Sequence, residues 1–389
     1  MQRIDLPERP DWKEEAERLG FGFHTMYGAP YWDESHAYSF TLREIEEDLE
    51  DPSQALYGMC LDLVDRVVRD DALLEKMAIP EAYRSWIRTS WEAGQPSLYG
   101  RFDFFYDGSG PAKLLEFNAD TPTALYETGF FQWMWLEQQM AAGVLPPEAD
   151  QFNSVQDRLI ERFAAMFAPG YHIHFASSKD QDEDRATVRY LEDCARQAGL
   201  IPHFVAVEDI GMDGEGRFAD TESHVIDALF KLYPFEDMFR EDYGPYLPGA
   251  PVQLLEPPWK AILSNKAILP LLWEMFPDHP NLLPSFFEGE ADEGFLKGAH
   301  VRKPFFSREG ANITVLRPEA EDITTPGHYG AEGHILQAYA EPPKFGDDYV
   351  MIGSWIIGGQ ASGICLREDK ALVTQDLSRF VPHVILEEG

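Results

Sequence analysis

Arginine, carboxylate and amide side chains recur at alternate positions in one short stretch: Arg101 and Asp103 within YGRFDFFY, then Glu116 and Asn118 within KLLEFN. Side chains alternate across a strand, so each pair shares one face while Phe102, Phe104, Leu115 and Phe117 take the other. Asp107, Gly108, Ser109 and Gly110 separate the two runs, which predicts a β-hairpin. With residues 108–111 as its loop, Asp103 faces Glu116, Arg101 faces Asn118, and the four apolar side chains are buried together. Two adjacent carboxylates repel, and two chemistries answer that: a solvated face neutralised by Arg101, or a magnesium site of hard oxygen donors completed by water and phosphate. The hairpin alone is compatible with both.

The final third of the chain supplies cations suited to phosphate. HVRKPF, residues 300–305, reads as a strand with Lys303 before a proline; it runs into Ser307-Arg308-Glu309-Gly310-Ala311-Asn312 and a return strand at 313–316. A strand lysine followed by a glycine loop can hold a nucleotide, the ammonium meeting phosphate oxygens while backbone N–H groups fold over them. GxxxxGK[ST] is absent, so this is not a Walker A loop. Lys266, beside Asn265, opens a stretch whose apolar residues recur at helical spacing; alone it would be a surface charge. A strand at 335–339 carries Gln337, and a hairpin of 349–357 with 361–367, loosened by Gly358, Gly359 and Gly363, ends near Arg367.

The elements that must position these residues are mostly helical before the hairpin. A short helix is expected at 12–19, an aromatic loop around Tyr31 and Trp32, and a capping box at Thr41 and Glu44. Helices follow at 55–68, 72–77 and 80–92. After the hairpin, 124–140 is apolar enough for a buried helix, and Ser154 is expected to cap another through Met166. Residues 171–176, 183–197 and 201–207 read as strand, helix, strand, a βαβ unit and hence a small parallel lobe. His172 and His174 face one way on its first strand, a packed histidine pair more readily than a metal site without a third ligand. Asp213-Gly214 marks a further hairpin before the strand at 225–232 and the acidic pair Glu236 and Asp237.

At 389 residues, 44% apolar and 13% aromatic, the chain can bury a large core and is not predominantly disordered. Its net charge of −36 argues against a nucleic-acid or anionic-membrane partner; it permits a cationic partner such as a polyamine and equally serves solubility. Cys60, Cys194 and Cys365 lack the close spacing of a zinc site or disulfide framework, and MQRIDLPERPDW carries no apolar signal core, so the cytoplasm is the expected compartment.

Together the V-x-K-P strand, the glycine-containing lid and the E-x-N strand resemble the ATP-grasp fold. Glu116-Phe117-Asn118 comes before Val301-Arg302-Lys303-Pro304 here, an order similar to the circularly permuted ATP-grasp of the glutathionylspermidine synthase family. YGRFDF, LLEFNADTPTA, LFKLYPFED, PPWKAILSNKAILPLLW, HVRKP and GGQASGICLRED carry the resemblance. It implies an α/β synthetase with a helical layer and metal-binding hairpin at 1–165, a small α/β lobe at 166–249 and nucleotide-binding lobes at 250–389. It further implies Asp103, Glu116 and Asn118 as Mg2+ ligands, and Lys266, Lys303, Gln337 and Arg367 toward ATP, with Gly310 in the lid. Arg101 would face the reacting acyl phosphate, and Thr121, Thr123 and Glu236 the peptide-like acid or the amine. Thr121 and Thr123 stand where some members carry serines, and no room for an amidase precedes Thr41, which makes the short, synthetase-only branch the nearer match. The expected activity is ATP-dependent amide formation between a carboxylate and an amine. A ligase for an unrelated acid and amine, a nucleotide-binding pseudoenzyme and a metal-dependent hydrolase are the alternatives.

Overall fold

A computed structural model describes residues 1–179, 181–374 and 378–386. The acidic hairpin forms from strands Tyr99–Phe105 and Lys113–Asn118, with Arg101 paired to Asn118 and Asp103 to Glu116. The register then shifts: Phe104 faces Leu114, and Leu115 becomes the extra residue of a β-bulge. One expectation is thereby corrected. Leu114 is buried with Phe102, Phe104 and Phe117, whereas Leu115 is only partly buried and lines a cavity on the polar side. The Phe102 and Phe117 rings stack at 4.0 Å beneath the hairpin.

The hairpin is the edge of a larger antiparallel sheet whose order runs Arg379–Val381, Gln360–Asp369, Asp348–Ile357, Tyr99–Phe105, Lys113–Asn118, with Lys344–Phe345 also paired to Asp348–Ile357. The two long C-terminal strands turn at Gly358 and Gly359, both at positive φ, a conformation that favours glycine. Helices Asp51–Val67, Asp71–Lys76 and Glu81–Glu92 contribute Leu56, Leu63, Leu74 and Ile87 to the same core as Phe102 and Phe104. Thr41 and Glu44 make the expected capping box. A second core joins Tyr99 and Trp355 to Tyr31, Trp32, Trp135 and Phe163, so the aromatic loop is interior.

Two helical expectations change in detail. Residues 124–140 do not form one regular helix: a π-helical turn, Glu127–Phe131, precedes the helix Gln132–Ala141. Ser154 does stand before the helix Val155–Met166, yet its hydroxyl donates to Ser362 O at 3.0 Å instead of capping, tying the helix to the long hairpin.

The βαβ unit is present as His172–Ser177, helix Asp182–Gln197 and Ile201–Ala206, in a fully parallel sheet of order Gln253–Leu255, Ala228–Leu232, His172–Ser177, Ile201–Ala206. His172 stacks on His203, with ring centroids 5.0 Å apart. A third, antiparallel sheet carries Lys303 on His300–Pro304 and Gln337 on His334–Ala338, with Val301 opposite Gln337. No helix among the described residues is long and apolar enough to cross a membrane.

Candidate active site

A cavity of about 300 Å³ opens where the acidic hairpin, the Lys303 sheet, the end of Ala228–Leu232 and the loops around Gly310 and Thr374 meet. Arg101, Asp103, Glu116, Asn118, Thr121, Thr123, Lys266, Lys303, Gly310, Gln337 and Arg367 all line it. Glu236 lies just behind, joined through Arg308, whose Nη2 donates to Glu236 Oε1 at 2.7 Å. Residues from positions 101 to 374 thus converge because the central sheet pairs an early hairpin with a late one.

Arg101 grips Asp103 with two bonds, Nε to Oδ1 at 2.7 Å and Nη2 to Oδ2 at 3.0 Å, and its Nη1 donates to Thr123 O at 2.9 Å. The guanidinium lies along Gly353, which faces Asp103 on the next strand; a β-carbon there would sit 2.7 Å from both Arg101 Cδ and Cys365 Sγ. Burial raises the Asp103 carboxyl above its ordinary value, Arg101 opposes that, and Glu116 adds to it. Asn118 Nδ2 bridges the carboxylates, donating to Asp103 Oδ2 at 2.9 Å and Glu116 Oε1 at 3.1 Å.

Across the cavity, Lys266 Nζ lies 2.9 Å from Glu116 Oε2 and donates to Ser307 O at 2.8 Å. Lys303 Nζ donates to Gln337 Oε1 at 2.7 Å and to Leu115 O at 2.9 Å, while Gln337 Nε2 reaches Leu114 O at 3.1 Å. The bulge at Leu115 places two successive carbonyls of an edge strand against these side chains, docking the third sheet onto the hairpin. Burial alone would raise Glu116, but Lys266 and Lys303 outweigh it and hold the carboxyl at about 2. Burial pushes the Lys303 ammonium down to about 8, against the pull of Glu116.

Four further residues matter that sequence patterns did not single out. Arg308 spans the floor, donating to Thr121 Oγ1 and Glu236 Oε1, both at 2.7 Å. Its place in the SREGAN loop was visible, its reach was not. Asp184 lines the cavity, and burial, then Glu183 and Glu309, raise its carboxyl to about 7; in sequence it is one acid among three in a helix's first turn. Asp120 accepts from Lys231 and, at 2.9 Å, from the Phe235 N–H, which fixes the short helix Phe235–Met238 carrying Glu236. Lys260, fully buried, donates to Tyr99 O at 3.0 Å and Ala119 O at 2.9 Å and pins the hairpin from below.

The donor set suits a hard cation. Two carboxylates and one amide meet from opposed positions of adjacent strands, and Asp103 Oδ2 and Glu116 Oε1 are both within reach of the Asn118 amide. The amide turns its nitrogen toward them, and Arg101 and Lys266 neutralise them, so the donors are held in place by cations that phosphate oxygens can also engage. With the Asn118 amide turned to present its oxygen, Asp103, Glu116 and Asn118 would make a donor set whose chemistry suits Mg2+, and the Lys266 and Lys303 ammoniums line the same cavity.

The family model described as glutathionylspermidine synthase preATP-grasp matches residues 3–386. The chain belongs to the glutathionylspermidine synthase family. It is 39% identical to a putative acid–amine ligase of Haemophilus influenzae, over 98% of this chain and 99% of that one. It is 27% identical to the bifunctional glutathionylspermidine synthetase/amidase of Escherichia coli, over 97% of this chain and 64% of the relative. Trypanothione synthetase of Crithidia fasciculata is 29% identical over 82% of this chain and 52% of that protein. A glutathione synthetase-like effector from Globodera pallida has the same fold, with a TM-score of 0.55, 11% identity and coverage of 90% of this chain and 89% of that one. The expected family and the α/β ATP-grasp-type architecture are both borne out, and the family is one of C–N ligases.

Proposed function

We propose that this protein is an ATP- and Mg2+-dependent carboxylate–amine ligase working through an acyl phosphate. The observation that carries this is the meeting, in one cavity, of an oxygen-donor set and three cations: Asp103, Glu116 and Asn118 with Arg101, Lys266 and Lys303. Mg2+ held by the oxygen donors would neutralise charge on the nucleotide phosphates. Lys266 and Lys303 bind the phosphates, Gln337 fixes the Lys303 ammonium, and the loop bearing Gly310 covers them with Arg367 on the far wall. Little covalent chemistry is asked of the protein, so positioning and charge dominate.

The substrate carboxylate attacks the γ-phosphorus and ADP leaves; the amine nitrogen then attacks the acyl carbon and phosphate leaves, its charge met by Arg101. Thr121 and Thr123 face the acid, which is peptide-like on the evidence of the relatives' names. The amine must lose a proton before it attacks. Glu236 is neutralised by Arg308, whereas Asp184, held at about 7, is suited to take that proton at neutral pH. The glutathionylspermidine synthetase among the relatives favours a polyamine acceptor, and the net charge of −36 permits one. We place the enzyme in the cytoplasm, consistent with three unpaired, buried cysteines.

The test is ADP release from Mg-ATP with pools of peptides and polyamines, followed by product mass. Release that requires both an acid and an amine, with a product one water lighter than their sum, supports the ligase. ADP release indifferent to the amine, or no release with any pair, removes it.

A further inference from the structure

A second cavity, of about 350 Å³, lies in the parallel-sheet lobe. The strand Ala228–Leu232 is the wall between the two cavities: Leu229 and Lys231 line the second, while Leu232 lines the catalytic one. Its interior is apolar, built from Val207, Ile210, Phe218, Met238, Leu247 and Leu254. Val207, Ile210 and Met238 are only partly buried, so apolar surface is left facing an open space of ligand size.

The mouth is anionic. Glu208 and Glu241 are exposed at the rim. Lys231 Nζ donates to Asp120 and to Tyr233 O at 3.0 Å, and Lys179 meets the rim with its backbone N–H, which donates to Glu208 Oε1 at 3.3 Å, while its Nζ bonds Asp209 at 2.6 Å. Tyr233 Oη donates to one Glu241 oxygen, and both residues line the cavity.

We infer that this cavity binds a small amphipathic amine, with a ring-sized apolar body among Val207, Ile210, Phe218 and Met238 and its ammonium at Glu208 and Glu241. A polyammonium chain laid along the interior would place a charged nitrogen every few carbons among apolar side chains, without a partner. A neutral molecule of the same shape forgoes the attraction of the rim carboxylates, and an acidic one is repelled by them. The site stands apart from the ligase chemistry and does not depend on it.

The test is calorimetric titration of the full chain with 2-phenylethylamine and with the isosteric alcohol 2-phenylethanol. It is repeated in Ile210→Trp, which fills the cavity, and in Glu208→Gln/Glu241→Gln, with circular dichroism melts to confirm folding. Saturable binding of the amine, about tenfold weaker binding of the alcohol, and a loss of about tenfold in the double glutamine variant are expected, the size of one charge-assisted hydrogen bond. Ile210→Trp should abolish binding. No saturable binding, equal affinity for amine and alcohol, or binding unchanged in the double glutamine variant would overturn the inference. Persistence in a folded Ile210→Trp would place the amine in the catalytic cavity and overturn it too. Because both rim carboxylates are exposed, the glutamine variant decides the matter if Ile210→Trp does not fold.

Discussion

Lys266 and Glu116 hold one another across the candidate active-site cavity, ammonium to carboxylate at 2.9 Å. The pair joins the edge of the central sheet to the segment before the helix Ile268–Met275, and with Lys303 it brackets one carboxylate between two cations. On the proposed reading, a nucleotide phosphate entering this space would compete with Glu116 for Lys266 and leave the carboxylate oxygen available to a divalent cation.

Acid stability should show that pair directly. Glu116 sits at about 2 in the folded chain against an ordinary 4.5, so its contribution is fully present above pH 4.5 and is lost as pH falls toward 2. In urea unfolding, Glu116→Gln should be less stable than the native sequence near neutrality, and the gap should narrow below pH 4.5. A gap that stays constant between about pH 3 and 6 would mean the carboxylate is not held by its lysines.

Lys303 predicts a slope of the same sign, at alkaline pH. Its folded value of about 8 lies below the ordinary 10.5, so the unfolded chain binds more protons between them and stability gains from this group as pH rises through that window. A phosphate beside Nζ restores the charge. Mg-ATP binding at about pH 8.5 should therefore take up a proton, read as a dependence of the calorimetric heat on the buffer's ionisation enthalpy. Lys303→Arg, always charged, should show no such uptake.

Gly353→Ala should damage the site without touching substrate. The added methyl would lie 2.7 Å from Arg101 Cδ and from Cys365 Sγ, so the guanidinium is forced off Asp103. Overpacking of this kind costs about 1–3 kcal/mol, and turnover should fall along with the melting temperature. Unaltered turnover in a folded Gly353→Ala would remove Arg101's positioning from the scheme.

Lys260→Ala should destabilise the fold by about 3–5 kcal/mol, because it strands the buried Glu256 carboxylate and frees two hairpin carbonyls. Lys260→Met/Glu256→Gln, which removes both charges, should cost less than the single change in urea unfolding.

Alternation placed the acidic face correctly because side-chain direction in a strand is set by local geometry. It failed at Leu115, where one inserted residue flips the parity and no residue type announces a bulge. Ser154 was legible as a helix start, while the carbonyl of Ser362 that claims its hydroxyl comes from 208 positions away. Arg308, Asp184 and Lys260 escaped notice for the same reason: their roles come from burial and from partners on remote elements, which charge and spacing do not encode. Lys303 and Gln337 were readable as strand residues, but that they bond each other depends on strand pairing in the third sheet.

The central claim is that Asp103, Glu116, Asn118, Lys266 and Lys303 form one Mg-nucleotide site, and calorimetric titration with a non-hydrolysable ATP analogue tests it most directly. The expected result is saturable binding that requires Mg2+ in the native sequence, loses about tenfold or more in Lys303→Met, and loses its Mg2+ dependence in Glu116→Ala. Equal affinity in all three proteins, or affinity indifferent to Mg2+ in the native chain, would contradict it.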